Sequence, residues 1–242
     1  MALHFVDDGA AQAAPGETLV LTGAEAHHAA TVRRVREGEA VTVTDGRGAW
    51  ATGSVVAAEP RRVEIRVEAR EDRTAPARRI LLAQALAKGD RDEMAVQAAT
   101  ELGVDGIVPW QAARSVSRWQ GPKAQKGRDR WAAIVREASK QAHRAWIPEV
   151  EPVASTRELA ARAASATLVV LDPWTDTRLA DVETGPGDVV LVVGPEGGIA
   201  PEELEALVGA GAVRARLGDT VLRTSTAGPA ALAVLNQALG RW

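Results

Sequence analysis

Over the first 73 residues, apolar and polar positions alternate in short runs. Thr18–Thr22, Ala40–Thr44, Ala49–Ala57 and Arg62–Ala69 are rich in β-branched residues, and several repeat with the period of two expected of a half-buried strand. Asp45-Gly46-Arg47-Gly48, between the second and third runs, predicts a hairpin turn. Ala24–Val35 interrupts the alternation with helical composition and carries His27, His28, Arg33, Arg34 and Arg36. A small β-barrel with one helix is the simplest assembly. Residues 71–79, EDRTAPARR, are polar and contain Pro76, which predicts a linker and a domain division into 1–73 and 74–242.

From Ile80 the period changes. Ile80–Leu86, Gly106–Trp110, Leu168–Asp172, Asp188–Val193 and Val213–Leu217 are short, largely apolar runs of the kind found in strands covered on both faces. Helical stretches lie between and after them. Asp90–Leu102 has acidic residues near its start and Gly103 in the position after a helix that glycine favours. Within it Met94, Ala98 and Leu102 recur at helical spacing and are expected in the core. Gly127–Arg144 sets Trp131, Ile134, Val135 and Ala138 on one side, with Arg128, Arg136, Lys140, Gln141 and Arg144 more toward the other. Thr226–Leu239 is a final alanine-rich helix. Alternating strands and helices predict an α/β domain with a mostly parallel sheet. Ligands of such sheets sit beyond the carboxyl ends of the strands. Leu171–Trp174, Gly194–Gly198 and Leu217–Thr224 all follow strand ends and together predict a pocket.

Composition narrows the chemistry. The chain has no cysteine, which excludes disulfides, thiolate metal sites and a cysteine nucleophile. No apolar run approaches the length of a membrane span, and MALHFVDDGA lacks the pattern of a secretory signal, so a cytoplasmic protein without membrane contact is expected. Neighbouring histidines on a helix project about 100° apart, so His27 and His28 are not expected to share a metal. The net charge of −3 is uneven: −3 over 1–73, +5 over 74–150 and −5 over 151–242. Arg114 to Arg144 holds nine basic residues against Asp129 and Glu137, a strip suited to a polyanion or simply a solvated helix face.

The glycine loops refine the pocket. Gly194, Gly197 and Gly198 permit close backbone approach to a ligand, and Pro201 suits the first turn of a following helix. Neither GxxxxGK[ST] nor GxGxxG is present, and the nearby charges, Glu196, Glu202 and Glu203, are acidic. A phosphate cradle is therefore unsupported. A neutral or cationic ligand, such as an adenosine bearing a sulfonium group, fits better; a tight turn that binds nothing is the alternative.

GPEGGIAPEEL followed by LGDTVLRTSTAGPAAL resembles the C-terminal signature of the SPOUT methyltransferases. More narrowly it resembles the 16S ribosomal RNA uracil-N3 methyltransferases. HFV with HHAATVRRVREGEAVTVTDGRG, ALAKGD with ATELGVDGIVPWQAARSV, and RWAAIVREASKQAHRAWIPEV are similar to the same family in the same order, so the resemblance covers nearly the whole chain. It implies a SPOUT-type trefoil-knotted α/β domain over 74–242 behind a PUA-like small β-barrel, RNA-binding, over 1–73. It implies S-adenosylmethionine as methyl donor without a metal, and a homodimer in which the final helix packs on the partner. The implied reaction is methylation of N3 of a specific uridine in 16S rRNA, within the small ribosomal subunit.

Carried over by motif, the cofactor contacts are Leu171, Pro173, Gly194, Pro195, Glu196, Gly197, Gly198, Leu217, Gly218, Leu222, Arg223 and Thr224. Uracil N3 must lose a proton, which calls for a base or for a cation that stabilises charge spreading to O2 and O4. Arg223 is the candidate cation. Glu196 is a candidate base or, preferably, a hydrogen-bond acceptor, while Thr224 and Thr226 either orient the cofactor or cap the last helix. RNA contacts are expected from His27, Arg33, Arg34, Arg114, Arg118, Lys123, Lys126, Arg128, Arg130 and Arg144, with Trp119 either stacking on a base or packing. Two other readings stay open: a SPOUT enzyme acting on ribose 2′-OH or guanine, and a non-catalytic RNA-binding assembly factor.

Overall fold

A computed structural model describes residues 2–242. The chain divides into two compact units: residues up to Ala75 together with Ser139–Ile147, and Pro76–Ala138 together with Pro148–Trp242. No helix among the described residues is long and apolar enough to cross a membrane.

The first unit contains β1 (Leu3–Val6), β2 (Thr18–Thr22), the short helix α1 (Gly23–His27), β3 (Ala40–Thr44), β4 (Ala49–Glu59) and β5 (Arg62–Asp72). Its sheet runs β1-β3-β4-β5-β2, antiparallel except for the β1–β3 pair. Alternation sorts the side chains: Val63, Ile65 and Val67 of β5 are buried, whereas Arg62, Arg66 and Glu68 are exposed. Phe5, Leu21, Val41 and Val43 fill the rest of this core. The hairpin turn forms as its residues predict, with Asp45 Oδ1 accepting from the amides of Arg47 (2.7 Å) and Ala49 (3.1 Å). Gly48 has φ +109°, and a Cβ there would lie 2.7 Å from the Arg73 carbonyl, so glycine is required.

Three features of this unit differ from expectation. β1 is only four residues long, too short for alternation to announce it. The helical stretch after β2 splits into α1 and a π turn over His28–Val32. Lys140, expected on a solvated helix face, is instead buried, with Nζ 3.2 Å from Glu25 and 3.1 Å from Nδ1 of His28. A buried ammonium persists only when paired, and Glu25 provides the counter-charge. His27 is exposed while His28 meets Phe5 edge-on, so the adjacent histidines serve different surroundings. His4 lies between Trp50 and His143, stacked at 4.6 and 5.1 Å, and hydrogen-bonds Thr42 at 2.6 Å. Burial is the main cause that pushes its pKa down to about 4.

The second unit is built on β6 (Ile80–Ala85), α2 (Arg91–Glu101), β7 (Gly106–Trp110), α3 (Pro122–Gln141, ending in the 139–147 segment), β8 (Glu149–Val150), α4 (Thr156–Ala161), β9 (Ala166–Leu171), β10 (Asp188–Val193), α5 (Pro201–Gly209), β11 (Val213–Ala215) and α6 (Thr224–Ala238). Every strand pair of its six-stranded sheet, ordered β11-β9-β10-β6-β7-β8, is parallel. Both faces are covered. Leu81, Ala83, Leu168, Val170, Val190 and Val192 pack with Leu159 of α4 and Leu207 of α5. On the opposite face Gly228 of α6 sits so close to Leu82 that a Cβ would come within 2.9 Å of it. α4 is announced by its own start signal, Ser155-x-x-Glu158, which forms a full capping box.

Core positions in α2 are shifted from those expected. Ala95, Val96 and Ala99 are buried, whereas Met94 is 54% exposed and Ala98 and Leu102 are half-buried. The spacing identified a helix correctly but selected its flank, because the neighbouring stripe of Ala95, Val96 and Ala99 is the one that folding covers. Gly103 follows the helix with φ +90°, as its position predicts.

Candidate functional site

The loops that leave β9, β10 and β11 converge at the carboxyl edge of the parallel sheet. They line a cleft of about 630 Å³, inside the range of small-molecule sites. Leu171 and Pro173 come from the first loop, Gly194 to Gly198 from the second, and Leu217, Gly218, Leu222, Arg223 and Thr224 from the third. All twelve positions expected to contact a cofactor are thus brought to one cavity. In the sheet order β11-β9-β10-β6, the third segment starts at the β11 end and reaches Gly194 beyond β10. It therefore spans the ends of two strands before α6 begins.

Thr224 fixes that crossing. Its hydroxyl donates to the Gly194 carbonyl at 2.8 Å and accepts from Gln84 Nε2 at 2.8 Å. Both side chains are buried, which makes the two bonds stronger and their loss more costly than at the surface. The expectation that Thr224 or Thr226 caps the last helix is corrected: α6 starts at Thr224, Arg223 occupies the cap position, and no side-chain cap bond forms there. Gln84 was missed by sequence reasoning, although the signal was present. It is the one polar side chain in the apolar run ILLAQA, and a buried amide has to find partners.

The second loop is held from several directions. Glu196 accepts from the Lys88 amide at 3.1 Å and from Arg91 Nη1 at 3.0 Å. Burial alone raises its pKa, but hydrogen bonds from its own amide, Lys88 and Arg91 outweigh that, and the net shift is downward. Arg114 donates to the Gly197 carbonyl at 3.1 Å, and a Cβ added at residue 197 would come within 3.3 Å of the Arg114 Cβ, a tight contact. Glu203 does more than complement the dipole of α5. It is buried, and its carboxylate accepts from Thr156 Oγ1 (2.6 Å) and the amides of Ala113 (2.9 Å) and Ala200 (3.4 Å).

Arg91, Arg114, Arg214, Arg216 and Arg223 line the cleft. Three are neutralised: Arg91 by Glu196, Arg214 by Asp172 and Arg216 by Asp219. Among the described residues Arg114 and Arg223 have no acidic partner, so net positive charge is concentrated on them. Asp172 also accepts from the Trp174 amide at 2.9 Å, which fixes the turn of the first loop. Leu171, Val193, Leu217 and Leu222 supply apolar wall.

The basic strip does not behave as a single surface. Arg114 belongs to the cleft, while Arg118 donates to the Ala113 carbonyl. Arg128 is bonded to the Val150 carbonyl and paired with Glu149; Arg130 is paired with Glu93 through both ends of its guanidinium. Lys123 and Lys126 are exposed and carry no ion pair among the described residues. Arg144, His27, Arg33 and Arg34 belong to the first unit, where the last three are exposed and Arg144 is half-buried. Trp119 packs edge-on against Trp131, with ring centroids 5.0 Å apart, and over Gly127, so packing accounts for it. No group of three or more His, Asp or Glu among the described residues is arranged to hold a metal.

Residues 74–236 match the family described as RNA methyltransferase domain, and residues 21–68 match the RNA methyltransferase PUA domain. The chain is 45% identical over 233 residues to ribosomal RNA small subunit methyltransferase E of Mycobacterium bovis, covering 94% of this chain and 89% of that protein. The corresponding Bacillus subtilis protein is 31% identical over 98% of this chain and 96% of its own length. Among solved structures, a Legionella pneumophila protein in complex with S-adenosylmethionine superposes with a TM-score of 0.88 at 31% identity, covering 98% of both chains. A ribosomal RNA small subunit methyltransferase E from Neisseria gonorrhoeae, bound to S-adenosylmethionine, gives 0.87 at 29% identity, again over 98% of both.

Proposed function

The chain belongs to the ribosomal RNA small subunit methyltransferase E family, and we propose that it uses S-adenosylmethionine to methylate N3 of a specific uridine in 16S rRNA. The observation that supports this best is the convergence of three strand-end loops, including both signature stretches, on one cleft. The cleft suits the cofactor. Apolar walls can take an adenine ring, backbone carbonyls such as that of Gly194 can take its amino groups, and three of five arginines are already neutralised, unlike a polyphosphate cradle.

Bound there, S-adenosylmethionine supplies a methyl group on a positively charged sulfur. Arg223 has the task of stabilising negative charge on O2 and O4 as N3 loses its proton. Its guanidinium is a cation, and its place at the start of α6 adds the partial positive charge of a helix N-terminus. Glu196 acts as a hydrogen-bond acceptor that ties the 86–91 loop to the glycine loop. A carboxylate with a lowered pKa and two donors in place is a poor proton acceptor. Thr224 orients the Gly194 carbonyl, and the backbone of residues 194–198 would line the bound cofactor.

The uridine has to be unpaired or extruded, because N3 is occupied in a duplex. The PUA-like unit, with His27, Arg33, Arg34 and Arg144, supplies one RNA surface. Arg118, Lys123 and Lys126 supply another, with Arg128 and Arg130 secondary because their charges are already paired. We take the second domain, 74–242, to be trefoil-knotted and the enzyme to work in the cytoplasm as a homodimer that packs through α6.

The test is methylation of deproteinised 16S rRNA and of assembled small subunits, read at nucleotide resolution. N3-methyluridine at one position is expected. A 2′-O-methyl or methylguanine product would keep the family and change the atom; no product from either substrate would favour a non-catalytic assembly factor.

A further inference from the structure

Trp174 stands apart from the other tryptophans. It is 81% exposed, whereas Trp50, Trp110 and Trp131 are buried and Trp119 and Trp146 are half-buried. Its only rival, Trp242 at 60%, is the last residue of the chain. An indole left in water forgoes the burial of a large apolar surface. Yet Trp174 is not on a loose tip. Pro173 restricts the preceding backbone, Asp172 Oδ1 holds the Trp174 amide at 2.9 Å, and Arg214 holds Asp172 in turn at 2.6 Å. The ring is carried on a fixed stem at the wall of the cleft.

We propose that Trp174 is a stacking platform for a nucleobase at the mouth of the cleft. The proposal rests on the nucleoside and RNA chemistry given above for this site. Its surroundings favour a base over a protein partner. Along the chain it is followed by half-buried Thr175 and by the exposed residues Asp176, Thr177 and Arg178. Among the described residues, Val221 is the cleft's only other large apolar side chain that is exposed. Two exposed apolar side chains are far less than the apolar face that a stable subunit interface requires. One flat ring suffices for a base, because every base has a π-face. The unneutralised Arg114 and Arg223 line the same cleft and suit an anionic polynucleotide. Two sources can provide the base: the adenine of the cofactor or an unstacked base of the RNA.

Calorimetric titration with S-adenosylmethionine and filter binding of deproteinised 16S rRNA separate them, each on wild type and on Trp174→Ala, Trp174→Leu and Trp174→Phe. We expect Ala and Leu to weaken one of the two ligands by about 5- to 100-fold, and Phe to recover most of the loss. Weakening confined to S-adenosylmethionine identifies adenine as the stacked base; weakening confined to RNA identifies an RNA base. Unchanged binding of both ligands overturns the proposal. So does Leu performing as well as Phe, or a change in sedimenting mass that accompanies the loss. Both readouts are binding constants, so they test the platform even if wild type yields no methylated uridine, a result that would remove the N3 reading alone.

Discussion

Two buried polar networks, one in each unit, are built from similar parts and do different work. In the second unit Gln84, Thr224 and Glu203 are bonded to backbone groups of loops that line the cleft or to the chain beside it. In the first unit two sets of contacts, Lys140 with Glu25 and His28, and His4 with Thr42 and His143, join the 139–147 segment to α1 and the sheet. The network of the second unit reaches groups that face a cavity. The contacts of the first unit tie its helix, its sheet and the 139–147 segment together. Changes in the one should therefore move ligand binding and turnover, and changes in the other should move stability.

The largest effect is expected at the cleft itself. Arg223→Ala should lower kcat by about 10²- to 10³-fold while the affinity for S-adenosylmethionine, measured by calorimetry, stays close to wild type. Collapse of that affinity would make Arg223 a binding residue instead. Next, Lys140→Ala should destabilise the protein by about 3 kcal/mol in denaturant unfolding, because it leaves the largely covered Glu25 carboxylate without its cation. Cofactor affinity at saturating folded protein should not change; if it does, the two networks are coupled and the contrast between them fails.

His4 offers a version of the same test driven by pH. Its folded pKa of about 4 lies below the ordinary 6.5, so the unfolded chain takes up a proton first as the pH falls. The stabilisation is complete above the ordinary value and is lost as pH drops toward 4. Between pH 7.5 and 5 the loss should be about 2 kcal/mol, and His4→Phe should flatten that part of the stability curve. An unaltered slope in the variant would show that another group titrates there.

Thr224→Val keeps the shape and removes the hydroxyl that joins Gln84 to Gly194. It should weaken cofactor binding by about tenfold, with a stability cost of about 1–2 kcal/mol, and Thr224→Ser should restore most of both. The smallest change is expected from Glu196→Gln: less than about a tenfold loss in kcat, with the pH profile of turnover unmoved. If Glu196 were the proton acceptor, the loss would exceed about a hundredfold and the acidic limb of the profile would vanish. Because the Glu196 pKa is lowered, its contribution as a charged acceptor is complete above the ordinary carboxylate value and lost only as the pH falls below it.

Much of the site was legible in the sequence because its parts are backbone features. Glycines at 194, 197 and 198, and strands such as Gly106–Trp110 and Asp188–Val193, are encoded locally, and their bounds agree with the structure. Paired signature motifs then carried the twelve cleft positions. The side-chain partnerships were not legible in the same way. Lys140 and Arg144 continue the run of cations in α3 yet belong to the first unit; Arg130 has Glu93 beside it only because folding brings α2 and α3 together. Helical spacing selected Met94 over Ala95, since period alone does not say which of two adjacent stripes is covered on folding.

The amino-acid sequence by itself determined the change from a two-residue to a helical-and-strand period near residue 80, the turn chemistry of Asp45–Gly48, the absence of thiol chemistry and the family to which the chain belongs. Those properties depend on residue type and short spacing, which any single stretch of chain carries. Only the tertiary structure decided that Thr224 bridges Gln84 and Gly194 across 140 and 30 residues, that Glu203 reaches back to Ala113 and Thr156, and that Trp174 is left exposed on a fixed stem. Each of those depends on which strand ends the parallel sheet places side by side, and a sequence read in order has no measure of that distance.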